Sequence, residues 1–83
     1  MAATFAIDHA VFDEAQGNVR GFVLVMVTYS NGKAKRLAHS YLLTDATPDV
    51  SMDIPKRIAF EDIAVVEEAL VAFRRKLAEL SPA

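Results

Sequence analysis

The sequence predicts a small α+β domain, a three-stranded antiparallel β-meander followed by one long C-terminal amphipathic helix, assembled as a dimer. Three observations carry this. Phe22-Val23-Leu24-Val25-Met26-Val27-Thr28-Tyr29 is apolar on both alternating faces and runs into Asn31-Gly32, the strongest short hairpin signal in the chain. From Ala59 the apolar period changes to alternate steps of four and three residues, which is the spacing of a helix. Finally, 83 residues with a hydrophobic fraction of 53% hold more apolar surface than one small copy can hide.

Thr4 to Phe12 reads as a first strand, with Phe5, Ile7, His9 and Val11 on one face and Ala6, Asp8 and Ala10 on the other. Asp13 to Asn18 is polar, contains Gly17, and reads as the connection to an antiparallel neighbour. The second strand covers about 19–29. Asn31 and Gly32 both tolerate the positive φ of a type I′ turn, so a two-residue loop is expected. Counting outward from it pairs Ser30 with Lys33, Met26 with Leu37, Leu24 with His39 and Phe22 with Tyr41, and sets the third strand at about 34–43. One face then collects Phe22, Leu24, Met26, Leu37, Tyr41 and Leu43. The other collects Val23, Val25, Val27 and Tyr29 beside Ala34, Ala38 and Ser40. Neither face is polar, and a strand wetted on one side should alternate.

Residues 44–58 carry Asp45, Thr47-Pro48-Asp49 and Asp53-Ile54-Pro55, turn formers that predict an ordered loop with room for one short helical turn or a brief fourth strand. The helix is placed at about 59–80, with Ala59, Ile63, Val66, Leu70, Phe73, Leu77 and Leu80 as its seam and Ser81-Pro82 as its stop. Glu61 and Asp62 at its start and Arg74, Arg75 and Lys76 toward its end suit the helix dipole. Val65, Ala69 and Ala72 make a smaller second stripe beside the seam. The whole of 1–83 reads as a single domain.

Composition narrows the function. Cysteine is absent, which removes disulfides, thiolate metal sites and cysteine nucleophiles and suits a cytoplasmic protein. Asp8 and His9 interrupt the N-terminal apolar stretch, so it fails as a secretory signal, and no window approaches the roughly 20 apolar residues of a membrane span. Adjacent acids such as Asp13-Glu14 and Glu67-Glu68 form no catalytic dyad, because neighbouring helical residues point about 100° apart. Gly17, Gly21 and Gly32 are too scattered for a phosphate loop, and no serine sits in a nucleophile elbow. No catalytic, cofactor-binding or metal-binding residue is therefore assigned, and the chain reads as no enzyme. His9 and His39 are expected on one sheet face, as hydrogen-bonded margin residues rather than ligands.

The expectation is a small non-enzymatic protein-protein interaction module, a homodimer that binds and modulates a protein partner. At class level this is the profile of phage or mobile-element accessory proteins acting on a host factor. The candidate dimer or partner interface is the helix seam, Ile63, Val66, Glu67, Leu70, Phe73, Arg74 and Leu77. Crossing two such helices near Leu70 in the antiparallel sense sets Glu67 beside Arg74 of the second copy, whereas a parallel pair sets Asp62 beside Glu67. The alternative is a small dimeric DNA- or RNA-binding regulator using a basic β-ribbon of Lys33, Lys35 and Arg36. A formal charge of -2 weighs against it.

Overall fold

The computed structural model describes residues 1–81; the expected stop at Pro82 lies outside the described residues. Four antiparallel strands, β1 (Thr4–Gln16), β2 (Val19–Thr28), β3 (Ala34–Leu43) and β4 (Asp49–Met52), lie side by side in chain order in one sheet. A 3-10 turn at Phe60–Asp62 leads into helix α1 (Ile63–Leu80), which packs on one face of the sheet. The protein is thus α+β with one C-terminal helix, but the meander has four strands rather than three. Part of the 44–58 loop forms β4, with Tyr41 opposite Asp49 and Ala38 opposite Met52. Pairing there satisfies the outer edge of β3.

β1 also runs further than expected, through the polar residues to Gln16, so that Gly17-Asn18 alone makes the turn. Gly17 has φ +65°, at the first turn position that a two-residue hairpin reserves for glycine. Between Val11 and Gln16 the pairing slips: Gln16 faces Val19, yet Val11 faces Gly21. A Cβ at Gly21 would collide with the Ala10 carbonyl, so glycine lets the two backbones meet beside the irregularity.

The β2–β3 turn departs from the predicted two-residue form. The Tyr29 amide donates to the Lys33 carbonyl, the Gly32 amide donates to the Tyr29 carbonyl, and Gly32 has φ +86°. This is a three-residue loop closed by a left-handed glycine. Register near the tip is therefore one residue off the expectation, with Met26 opposite Arg36 instead of Leu37. A bulge at Leu37 absorbs the difference, and beyond it Leu24 faces His39 and Phe22 faces Tyr41, as counted from the sequence.

That bulge changes the faces. Leu37 and Ala38 are both buried with Val23, Val25, Val27, Tyr29 and Leu42, whereas Ala34 is exposed and falls in line with Arg36. Val66, Ala69 and Phe73 of α1 complete the core. Each large side chain so buried stabilises the fold by about 1.5–3 kcal/mol.

α1 is anchored at both ends. The Asp62 carboxylate accepts from the Ser30 amide (3.1 Å) and the Ser30 hydroxyl (2.9 Å), tying the helix start to the β2–β3 turn. At the other end the Arg20 guanidinium donates to the Leu80 carbonyl. Arg74, Arg75 and Lys76 stop short of the last helical turn, which holds no basic residue of its own, so the cation at the negative end of the helix dipole comes from β2.

Candidate interaction site

α1 covers one face of the sheet, and the opposite face is left open. Val23, Val25 and Val27 of β2, and Tyr29 just beyond its end, are buried under the helix, and Phe22, Leu24 and Met26 between them are half-buried on the other side. Strand pairing sets Ala6 beside Met26, Ala10 beside Phe22, His39 beside Leu24 and Tyr41 beside Phe22. The His39 and Tyr41 rings meet edge to face at 4.6 Å, and Tyr41 is 47% exposed. Asp8, Arg36, Asp49 and Ser51 lie toward the margins of this face. Among the described residues no element packs over it. Three strands spaced by about 4.8 Å and roughly seven residues long at about 3.3 Å each, with the four-residue β4 at the side, give a face on the order of 300–400 Å², of which the apolar row is the central part.

A second surface flanks the helix. Between α1 and β1 runs a groove of about 700 Å³, floored by Phe5, Ile7, Val71 and Ala72 and walled by charged residues including Glu67, Glu68, Arg75 and Lys76. Val71 is 44% exposed. β1 is the outermost strand on this side.

The candidate residues on the helix separate into two sets. Val66 and Phe73 are buried, and Leu70 and Leu77 pack against the same core, so the seam is consumed by the chain's own sheet and is not available to a partner. Ile63 and Arg74 are exposed, and Glu67 opens on the groove. The stripe that faces outward is one step round the helix from the predicted one.

The basic ribbon is also divided. Lys33 and Lys35 oppose Tyr29 and Val27 and lie on the helix side, whereas Arg36 opposes Met26 on the open face. Arg36 is engaged by Asp53, Nε to Oδ2 at 2.7 Å. The three cations therefore do not project from one face of the ribbon. Lys33 and Lys35 instead border a cavity of about 210 Å³ with Tyr29, Arg57 and Asp62. Burial, and then the nearby Asp62 charge, push the Tyr29 hydroxyl above its ordinary pKa.

The histidines do not share a face. His9 opposes Val23 on the helix side and His39 opposes Leu24 on the open side, because the slip between Val11 and Gln16 reverses the parity of β1. Among the described residues, no group of three or more histidine and carboxylate side chains is placed to hold a metal ion. No described helix is long and apolar enough to cross a membrane. Comparison with known protein families, curated proteins and solved structures finds no match.

Proposed function

We propose that this protein is a non-enzymatic interaction module, whose open sheet face binds a folded protein partner and modulates it. One observation carries the reading: Phe22, Leu24 and Met26 form an apolar row along the central strand, flanked by Ala6, Ala10 and Tyr41, with no element of the chain above it. Covering such a row with a complementary apolar surface is favourable by about 25 cal/mol per Å² of apolar area removed from water. The aromatic pair His39–Tyr41 supplies a rigid anchor of the kind that dominates interface energetics. The polar margin, with Asp8, Asp49 and Arg36, gives orientation.

A photoreactive residue replacing Leu24 tests this in the native cell. It is expected to crosslink a protein other than a second copy of the chain, and the crosslink is expected to vanish when Phe22→Asp or Tyr41→Asp is added or when excess unlabelled protein competes. Crosslinks confined to a second copy, or unaffected by those changes, would remove the proposal.

A further inference from the structure

We infer that the β1 edge and the groove beside it form a self-complementary interface that takes a second copy of this chain in antiparallel orientation. The partner site on the open face plays no part in the argument.

The backbone sets the first condition. Because the Tyr29 amide donates to Lys33, the odd-numbered residues of β2 turn their amides toward β3 and the even-numbered ones turn toward β1. Thr4, Ala6, Asp8 and Ala10 are therefore the β1 residues bonded to β2, and Phe5, Ile7, His9 and Val11 present their N–H and C=O groups at the outer edge. No described strand pairs with that edge. From Thr4 to Val11, β1 has no proline, glycine or bulge, so this part of the edge lacks those devices against pairing.

The choice of register follows from charge. A two-fold axis centred on Asp8 would set that carboxylate directly against its own copy, an unfavourable cross-strand pair. Centring the axis on Ile7 sets Ile7 against Ile7, Phe5 against His9 and Ala6 against Asp8 of the second copy. The outward amides are then bonded in antiparallel register. Phe5 and Ile7 of both copies form one floor beneath the helices.

The groove wall obeys the same symmetry. Rotating the chain about an axis between Val71 and Ala72 brings Glu67 to Lys76, Glu68 to Arg75 and Val71 to Ala72 of the second copy, all of them groove-lining residues. Glu67 and Glu68 each meet a base and each of those pairs occurs twice, while Glu79, which already pairs with Lys76 of its own chain, falls opposite Ala64. The small Ala72 receives the exposed Val71, and the antiparallel sense also aligns the two helix dipoles favourably. An antiparallel helix contact was expected from the sequence; the buried seam moves it from Glu67–Arg74 to Glu67–Lys76 and Glu68–Arg75.

Light scattering with size-exclusion chromatography tests the interface. The wild type is expected at twice the 9.1 kDa chain mass. Glu68→Arg and Arg75→Glu, each on an exposed helix position, are expected to weaken dimerisation by roughly tenfold, since each change turns two attractive contacts into repulsive ones. The double variant restores the dimer. His9→Pro, which deletes an outward amide on an exposed edge residue, is expected to yield a folded monomer by circular dichroism. Because the chain has no cysteine, Ile7→Cys is expected to link two copies through a short bis-maleimide, and Leu24→Cys is not. A wild type that stays monomeric at high concentration, a folded double variant without rescue, or linkage through Leu24→Cys in place of Ile7→Cys would each overturn the interface.

Discussion

Tyr29 ends the buried row of β2, and its side chain shows how the polar end of the core is organised. Its hydroxyl is buried without a hydrogen-bond partner among the described residues, and so is the second carboxylate oxygen of Asp62. The first carboxylate oxygen holds both Ser30 groups. An unpaired buried hydroxyl contributes desolvation cost and no bond, so Tyr29→Phe is expected to leave stability unchanged or raise it by about 1 kcal/mol in chemical denaturation. The same substitution has a pH signature. Tyr29 has a folded pKa above the unfolded value of 10.0, so the fold binds its proton more tightly than the unfolded chain does. Its contribution to stability is fully present below that unfolded value and is lost as pH rises through the folded one. Wild-type stability is therefore expected to fall in that alkaline range by more than that of Tyr29→Phe, and equal losses in both proteins would refute the assignment.

At the scale of elements, α1 can be tested by contrasting its two stripes. Phe73 is fully buried in the core, and Phe73→Ala is expected to destabilise the protein by about 3–5 kcal/mol. Val71 lies two residues earlier on the groove and is 44% exposed, so Val71→Ala is expected to change monomer stability by no more than about 0.5 kcal/mol. Urea titrations of both variants in the monomeric His9→Pro background make the comparison. The seam containing Phe73 was legible because a period near 3.6 persists over several turns; which surface it covers was not, since own sheet and partner helix demand the same pattern. The hairpins show the same limit. The unbroken apolar run and the Asn31-Gly32 turn signal located β2 and β3, and the distal register of Leu24 with His39 and Phe22 with Tyr41 could be counted from the turn. The tip could not, because the Ser30 amide is held by Asp62 from the distant helix start, which favours a three-residue loop over one pairing Ser30 with Lys33. One inserted residue at Leu37 and the slip after Val11 leave no periodic trace, yet they decide that Ala34 faces out and that the two histidines part. β4 could be raised only as an alternative to a short helical turn, because it is short and has turn residues on either side. The apolar open face was legible in the unbroken run of β2, whereas the groove required the packing of α1 against β1.

For the molecule as a whole, the two surfaces point in different directions. The β1 edge and groove lie at the side of the sheet, and the row of Phe22, Leu24 and Met26 lies on its front. In the inferred dimer, a two-fold axis perpendicular to the sheet at Ile7 would join two four-stranded sheets into one of eight strands and leave both open faces on the same side. Self-association then adds to partner binding instead of competing with it, and the two should be separable by substitution. Phe22→Asp changes the front alone and is expected to keep the dimer mass in light scattering while losing the partner crosslink at Leu24. His9→Pro changes the edge alone and is expected to keep the crosslink while halving the mass. If the partner also presents two copies of its own surface, the paired faces hold it by effective concentration, and dissociation from the monomeric variant is faster. A Phe22→Asp protein that folds but falls to monomer mass would place self-association on the sheet face, where a second copy and a partner exclude each other, and the separation of roles derived from the edge would fail.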